Sequence, residues 1–451
     1  MSQQRVVPNT AEWKPIERMA FRFFFIYFLL QIIPIDWKFW KQFFSINWLH
    51  VHFKEIFDLA HYTPKFFSAA SIPQWGIGAF ADWAVFFIVA AIGALIWSVY
   101  DKNGKEYNKL YYGLRVVLRY RLAIAVIAFG FIKLFPLQMP YPSLSNLHTN
   151  YGDFFAWKIY FHTVGIAPNY ESFLGFVEIV AGFLLFFRRT VTFGAGLIIG
   201  FIGNVAFANG SYDAGDLVYS TFLVLIAAFL FFYDVPRLYR LLAEEKPTLA
   251  NRFKPQWSIK WVAVTRTVGR LSFVLFVVVY GYKTYANYKT DPYILPKTPG
   301  LKNAYGFYNV KQFVVNKDTL AYTLTNPQRW QDVVFEKWST LSIKSARPVK
   351  IDVTNGDGLH AADIDRNYES AGVAGRHYFY YEADTIRHTL ALQNKNLNHR
   401  SEKLFLHYKW QNDSTLTLKG INENKDSIHV VLDRVNKKYM MFEGRRKPVK
   451  L

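Results

Sequence analysis

Cysteine is absent from this sequence of 451 residues. Its absence excludes disulfide exchange, thiolate nucleophiles, cysteine-ligated iron–sulfur clusters and covalent c-type haem attachment. A domain on the oxidising side of a membrane must therefore fold without disulfides. The sequence also lacks a phosphate-binding glycine loop, a nucleophile elbow and a zinc-binding helix motif. We accordingly predict no catalytic residue and no resident cofactor.

Two segments resemble metal sites only in composition. His50 and His52 are two positions apart, so their rings diverge if the segment is helical. Residues 352–358 are rich in Asp, Asn and Gly, but Asp357 stands where an EF-hand loop needs glycine, and no Glu closes the loop. We therefore predict no metal site.

Acidic residues are scarce relative to basic ones. The chain has 33 Asp and Glu against 53 Lys and Arg, a net charge of +20. Hydrophobic residues make up 52% of the chain, yet the mean hydropathy is only +0.05. This mixture is typical of a protein that is partly membrane-embedded and partly soluble. Basic cytoplasmic loops account for the excess positive charge, so we expect a lipid bilayer and no nucleic acid as partner.

Seven apolar stretches approach the roughly 20 residues needed to cross a bilayer. The densest basic loop of the first half, 101–121, is placed in the cytoplasm by the positive-inside rule. Alternation then places the basic segment 234–270 inside as well, and everything after Tyr282 outside. The sequence thus predicts a bacterial inner-membrane protein with a cytoplasmic N-terminus and a periplasmic C-terminal domain. The predicted spans are 20–34, 77–99, 122–139, 172–187, 191–208, 217–233 and 271–282.

The domain organisation follows from these spans and from a change of composition after Tyr282. Beyond the spans, short alternating runs separated by turn residues predict an all-β domain, either an antiparallel sandwich or a small barrel. The fold class is thus a helical membrane bundle with a C-terminal β domain. The predicted parts are a hairpin at 1–114 with an outer interfacial segment at 37–76, a four-helix core at 115–240, a cytoplasmic loop and last span at 241–283, a linker at 284–304 and the β domain at 305–451.

Lys133, Glu178 and Asn204 are the polar exceptions in three apolar stretches. At 1.5 Å of rise per residue, each lies roughly 8–9 Å below the outer membrane boundary. Ionisable side chains at such depth usually face a bundle interior or a wet cavity. We expect a Lys133–Glu178 ion pair with Asn204 hydrogen-bonded nearby. The cluster is either a structural pair that fixes helix register or part of a small pocket that opens outward, rimmed by three further polar residues: Gln138, Asp213 and Asp216.

Glycines share the helix faces of these polar residues. Side chains three, four and seven positions apart lie on one face, and small residues let membrane helices approach closely. The sequence therefore predicts that Glu178 and Asn204 turn inward with their glycines, and that Lys133 does so on a partly small face. The glycines predicted to mediate helix packing are Gly130, Gly175, Gly182, Gly196 and Gly200.

The region 115–235 resembles the DoxX/DoxD-like membrane proteins. Their pattern is an arginine that opens a helix ending in Gly-x-x-Lys, followed by a helix with Glu, Gly, a leucine run and a terminal Arg. The matching residues here are Arg119 or Arg121, Gly130, Lys133, Glu178, Gly182 and Arg188. The resemblance implies a four-helix membrane bundle linked to redox or sulfur metabolism, with a quinone or lipid as a possible ligand. The extra spans and the appended β domain depart from the pattern.

Two functional hypotheses arise from these observations. The first is an inner-membrane scaffold or accessory subunit of a membrane complex, which the resemblance links to redox metabolism, and its β domain binds a periplasmic or membrane protein partner. The second is a quinone-linked oxidoreductase subunit or a transporter of a small lipophilic molecule. The missing cofactor motifs and the small number of intramembrane polar residues favour the scaffold over an enzyme.

Overall fold

The computed structural model describes residues 13–67, 76–101, 106–248, 253, 255 and 260–444. Parts of three predicted segments, 37–76, 101–121 and 234–270, lie outside the described residues. The chain divides into two compact units. The helical unit consists of residues 1–137 and 169–288, and the barrel unit consists of 138–168 and 289–451. The excursion between the third and fourth predicted spans is therefore part of the β domain.

The helical unit contains ten helices within the described residues. Proline ends the first one, because Ile33 before Pro34 is held in an extended conformation. Asp36 then caps the second helix by accepting a hydrogen bond from the Phe39 amide at 2.9 Å. The helices are α1 (Pro15–Ile32), α2 (Trp37–Ser45), α3 (Phe53–Ala60), α4 (Ala81–Tyr100), α5 (Asn108–Leu134), α8 (Pro168–Leu184), α9 (Val191–Ser211), α10 (Leu217–Phe232), α11 (Val235–Leu242) and α12 (Lys260–Thr290).

Four helical stretches among the described residues are long and apolar enough to cross a membrane: Pro15–Ser45, Ile77–Tyr100, Val191–Ser211 and Trp261–Thr290. The pair α10 and α11, bent by 62°, is a fifth candidate if it forms one span. Helices also cover the two remaining predicted spans. However, α8 has only 17 residues, and α5 carries Arg119, Arg121 and Lys133 in its apolar part.

The barrel unit has nine strands that follow one another as a meander. Each strand pairs with the next in antiparallel fashion, except that the two-residue β2 pairs only with the end of β1. A further pairing of β1 with β9 closes an eight-stranded antiparallel barrel. The strands are β1 (Gly306–Val315), β2 (Asp318–Thr319), β3 (Asp332–Phe335), β4 (Thr340–Lys344), β5 (Arg376–Asp384), β6 (Thr389–Asn394), β7 (Lys403–Trp410), β8 (Thr415–Ile421) and β9 (Ser427–Arg434).

Side chains fill the interior of this barrel. Strand β7 shows the alternation that produces it, because Leu404, Leu406 and Tyr408 are buried while Phe405 between them is 51% exposed. Large aromatic residues such as Phe335 and Tyr381 join the same core. An eight-stranded barrel is just wide enough for side chains to pack its interior. The barrel is therefore a packed structural body.

Several features of the barrel unit differ from the sequence prediction. Strand β6 was not predicted, although Leu390 and Leu392 alternate with less buried residues in it. Two of the short alternating runs that the sequence predicts as strands, 319–324 and 438–442, are not regular strands. Most of 319–324 is irregular, and 438–442 contains a helical turn, α13 (Met440–Glu443). The predicted linker 284–304 is not a free connection, since α12 extends to Thr290 and Leu301 and Ala304 belong to the barrel core.

Two short helices of the excursion also belong to the barrel unit. They are α6 (Leu144–Leu147) and α7 (Ala156–Gly165). The Ser143 hydroxyl caps α6 by accepting from the Asn146 amide at 3.2 Å. A backbone hydrogen bond of 2.9 Å from Phe155 to the Gly372 carbonyl ties the start of α7 to the segment before β5.

Candidate functional site

Lys133 and Glu178 form a buried ion pair between α5 and α8. The Lys133 Nζ donates to the Glu178 Oε1, and the two residues are 4% and 1% exposed. The same ammonium lies 5.6 Å from the centre of the Phe129 ring. Mutual attraction in such a site offsets the large cost of removing both charges from water. The structure thus brings these two predicted site residues together.

Close backbone packing allows the pair to form. A Cβ placed on Gly175 would lie 2.3 Å from the Leu134 nitrogen and 2.4 Å from the Gly130 oxygen, both of them backbone atoms. The Ser172 hydroxyl adds a hydrogen bond of 2.9 Å to the Leu134 carbonyl. Two turns further along α8, a Cβ on Gly182 would meet Ile127 at 2.5 Å. Three of the predicted packing glycines therefore lie where α5 and α8 touch.

The prediction for α9 needs correction. Asn204 lies on an exposed face of this helix, and a Cβ on Gly200 would have nothing within 4 Å. The buried residues of α9 are instead Val191, Gly194, Ala195, Ile198, Ile202 and Asn209. The spacing of small residues predicted the wrong stripe, because larger side chains together with Gly194 fill the contact with neighbouring helices. Gly196 contacts the Phe231 ring, whose nearest atom would lie 3.1 Å from an added Cβ.

The three predicted rim residues are not arranged as one set. Asp216 has its Oδ1 3.4 Å from the Nε2 of His61 and is partly exposed. Asp213 is exposed and has a φ of 51°, which fits a turn residue. Gln138 belongs to the barrel unit. Only Asp216 therefore takes part in a polar contact of the helical unit.

The structure also contains a cluster around His61 that the sequence did not predict. The His61 ring lies 4.0 Å from the Tyr219 ring, centre to centre. Arg121 donates to the carbonyls of Ala60 and Tyr62, at 2.9 and 2.6 Å, and to the Tyr219 hydroxyl at 3.3 Å. Arg121 was identified only as a motif position. Its partners are mostly backbone carbonyls, which have no signature in a sequence.

Two more motif arginines bind the backbone. The Arg119 Nη2 donates to the Phe186 carbonyl at 3.0 Å, just beyond the C-terminal end of α8. The Arg188 Nη2 donates to the Phe253 carbonyl at 2.5 Å. Cations bind favourably at helix C-termini because several carbonyls there lack partners within the helix. Arg119 therefore binds the C-terminal end of α8, whereas Arg188 binds the segment between α11 and α12.

The barrel unit contains a second set of buried polar residues, centred on Glu336. Its Oε1 accepts hydrogen bonds from the amide and the hydroxyl of Ser145, both at 2.6 Å, and its Oε2 accepts from the Leu144 amide at 3.3 Å. Glu336 is 2% exposed. Burial and the nearby charge of Glu369 raise the pKa of Glu336 to about 7. This carboxylate attaches α6 to the barrel wall.

Glu369 and Lys395 form a second buried ion pair beside it, 2.7 Å apart. The Glu369 carboxylate also accepts from the Thr340 hydroxyl at 2.6 Å and from the Trp338 indole at 2.8 Å. Its backbone carbonyl accepts from the Asn146 side chain at 3.0 Å. Each polar group of this set thus has a specific partner, as buried polar groups require.

Lys158 of α7 is fully buried in the same unit. Its Nζ donates to the Tyr368 carbonyl and lies 3.6 Å from the centre of the Tyr368 ring. The Trp157 ring centre is 5.1 Å away. Burial lowers the pKa of Lys158 to about 7. Together with Glu336, this contact fixes both helices of the excursion on the barrel.

Replacing one member of the Lys133–Glu178 pair should destabilise the protein strongly. Lys133→Ala or Glu178→Ala leaves the partner charge buried and unpaired, which costs about 3–5 kcal/mol. The double variant Lys133→Met/Glu178→Leu should recover most of this loss. Thermal unfolding in detergent measures all four proteins. Single variants as stable as the wild type would contradict a structural pair.

The α5–α8 contact should not tolerate a side chain at Gly175. Gly175→Ala forces a Cβ against two backbone atoms and should cost about 1–3 kcal/mol. Gly200→Ala is the matched control on an open helix face, where alanine should be neutral or stabilising. The measurement is the unfolding midpoint of both variants. Equal midpoints would show that α5 and α8 are not in close contact.

The attachment of α6 should weaken as the pH rises. The pKa of Glu336 is raised in the folded state, so its contribution to stability is complete below about pH 4.5 and is lost as the pH passes about 7. Glu336→Gln should abolish this dependence, which is on the order of 3 kcal/mol at full ionisation. Thermal unfolding between pH 5 and 8 tests it. Lys158 titrates in the same range, so the test compares the pH dependence of the unfolding midpoint between wild type and variant. Parallel pH profiles of the two proteins would refute the role of Glu336.

Comparison with known proteins gives a short match. No family model matches the chain, and no solved structure matches it. A stretch of 79 residues is 34% identical to a protein of Bacillus subtilis (strain 168) described as uncharacterized protein YwoB. The match covers 18% of this chain and 49% of that protein, so it spans about half the length of the relative. A likeness of this extent assigns no family, and the DoxX/DoxD-like resemblance remains a prediction.

Proposed function

We propose that the protein is an integral scaffold or accessory subunit of a bacterial inner-membrane complex. Its helical unit spans the membrane, and its barrel unit provides a periplasmic surface for a protein partner. The observation that supports this proposal is the composition of the barrel unit, which combines residues 138–168 with 289–451. Both segments must lie on one side of a membrane in order to fold together.

This constraint determines the parity of the spans between the two segments. Residues 169–288 must cross the membrane an even number of times. Within this range, α9, α12 and the bent pair of α10 and α11 give three candidates. A fourth crossing is therefore needed, and α8 provides it, because its 17 residues reach roughly 26 Å. A bilayer core is about 30 Å thick, so this length suffices with flanking residues.

The charges of α5 are compatible with a further span. Lys133 is paired with Glu178, while Arg119 and Arg121 bind backbone carbonyls. Charged groups in a membrane are tolerated when they face the protein and have partners. With α1 and α4, this helix makes three crossings before the excursion and seven in total. The N-terminus then lies opposite the barrel unit, as the basic loops predict.

The scaffold role is favoured over catalysis by the state of the buried polar groups. The ion pair is enclosed between close-packed helices, and Glu336, Glu369 and Lys395 of the barrel unit bind neighbouring side chains or the backbone. Such groups stabilise and orient elements. A surface on the barrel unit is then the natural place for a partner.

A small lipophilic ligand is the second candidate function. The Glu178 Oε2 is buried and has no hydrogen-bond partner among the described residues. A quinone or lipid head group that donates to it would satisfy this oxygen. Such a ligand would make the protein a quinone-linked oxidoreductase subunit or a transporter, in keeping with the DoxX/DoxD-like resemblance.

Single cysteines should report the proposed topology, since the chain contains none. Tyr151→Cys in the excursion and Ile386→Cys in the barrel replace side chains that are 74% and 90% exposed. A membrane-impermeant maleimide should label both from the periplasm. Leu242→Cys, also 74% exposed in the wild type, should react only after permeabilisation. Labelling of the first two from opposite sides would refute the parity argument, and labelling of all three from outside would refute seven spans.

Purification in mild detergent separates the two functions. A stoichiometric protein partner in the mass spectrum of the purified complex supports the scaffold. A quinone or lipid that is present in the wild type and absent from folded Lys133→Met/Glu178→Leu protein supports the ligand site and overturns the scaffold as the main role.

A further inference from the structure

Three arginines lie together at the end of the helical unit where α5 begins and where α8 and α10 end. Arg115 and Arg119 stand one turn apart in the first half of α5, and Arg188 follows the C-terminal end of α8. The positive charges of Arg115 and Arg188 both act on Arg119, and that of Arg188 also acts on Arg115. These three residues form the arginine cluster. In the proposed topology it lies at the cytoplasmic end of the unit.

The protein does not neutralise the two arginines of α5. Neither Arg115 nor Arg119 forms an ion pair within the described part of the chain, and the Nε atoms of both are buried there without a hydrogen-bond acceptor. The carboxylate whose charge reaches Arg115 is that of Asp234. It is engaged elsewhere, because its Oδ1 lies 4.0 Å from an Arg237 nitrogen and its Oδ2 accepts from the Thr192 hydroxyl. Partly buried cations that lack a counter-ion favour the binding of an anion.

The two guanidinium groups of α5 are held in defined positions. The Arg115 Cζ lies 3.3 Å from the centre of the Tyr233 ring and 5.9 Å from that of the Tyr111 ring. The Arg119 Nη2 donates to the Phe186 carbonyl at 3.0 Å. Both arginines are only partly buried, so their remaining terminal nitrogens can be reached from outside. A guanidinium fork matches the oxygens of a phosphate group, to which it can donate two parallel hydrogen bonds.

Exposed aromatic rings adjoin the cluster in sequence. Phe187, directly before Arg188, and Phe232, directly before Tyr233, are each 66% exposed. In the proposed topology both rings lie where the helices leave the bilayer core, next to the acyl chains of lipids. A soluble phosphate compound would leave these rings uncovered. A phospholipid offers its acyl chains to the rings and its phosphate to the arginines, so the matching ligand is amphiphilic.

We propose that the arginine cluster binds the head group of an anionic phospholipid from the cytoplasmic leaflet. Arg115 and Arg119 donate to the phosphate oxygens, and Arg188 adds a third positive charge. Basic sites between membrane helices on the cytoplasmic side bind lipid head groups in this manner. The inference rests on the proposed function only in that the helical unit spans the membrane with this end inside.

Thermal unfolding of the full chain in a neutral detergent tests the site. Dioleoyl phosphatidylglycerol should raise the unfolding midpoint in a saturable manner, because a ligand that binds only the folded state stabilises it. Dioleoyl phosphatidylcholine has the same acyl chains but no net charge and should raise it far less. Glycerol 3-phosphate at the same concentration supplies the phosphate without acyl chains and should have no effect.

Arg115→Gln is the informative variant, because Arg115 has no ion pair within the described residues to lose and the protein should stay folded. Its affinity for phosphatidylglycerol should fall about fivefold, as expected for one arginine near an anionic lipid. Arg115→Lys keeps the charge but not the planar fork and should also bind more weakly. Arg266→Gln is the matched control, since it removes the same charge from an exposed position of α12 and should leave the affinity unchanged.

Four results would overturn the proposal. Equal losses of affinity in Arg115→Gln and Arg266→Gln would show that the overall charge attracts the lipid. Equal stabilisation by phosphatidylcholine would exclude selection of an anionic head group, and equal stabilisation by glycerol 3-phosphate would assign the site to a soluble phosphate compound. A lower midpoint of Arg115→Gln with unchanged lipid affinity would give Arg115 a structural role only. None of these results affects the scaffold function, whose partner surface belongs to the barrel unit, and the maleimide labelling described above reports the topology independently.

Discussion

The amides of Leu144 and Ser145 donate to the buried carboxylate of Glu336, across 191 residues of sequence in the case of Ser145. The architecture of the barrel unit depends on this attachment. It makes the excursion between two apolar helices part of the barrel, so the chain returns to the barrel after residues 169–288. A buried carboxylate is costly to desolvate, and the three hydrogen bonds that it accepts compensate for part of this cost.

The ion pair of the helical unit follows the same principle. Lys133 and Glu178 are stable inside the bundle because Gly130 and Gly175 bring the backbones of α5 and α8 together. In a membrane, helices gain little from the hydrophobic effect when they associate, so packing and specific polar contacts decide the arrangement. One polar contact and two glycines thus determine the register of this helix pair. A buried salt bridge of this kind specifies an arrangement more than it adds stability.

Sequence patterns predicted the parts of the fold whose cause is local. Hydropathy indicated helices at each of the seven apolar stretches, and alternation indicated an all-β domain after Tyr282. The Lys133–Glu178 pair followed from depth and helical periodicity. The same reasoning predicted the orientation of Asn204 wrongly, because that orientation depends on which residues of α9 fill the contact with neighbouring helices. Arg121 and Glu336 bind mainly backbone groups that are distant in sequence, and no pattern of residue types reveals such partners.

The excursion also has a consequence for the order in which the protein is made. Residues 138–168 leave the ribosome well before the strands on which they fold, since the whole of 169–288 is synthesised in between. The buried faces of α6 and α7, with Trp157 and Lys158, must therefore remain unpaired while residues 169–288 are synthesised. Contacts of such high sequence separation form slowly. The barrel can close only after β9 has been synthesised, so in the proposed topology the helices of residues 169–288 enter the membrane before the barrel is complete.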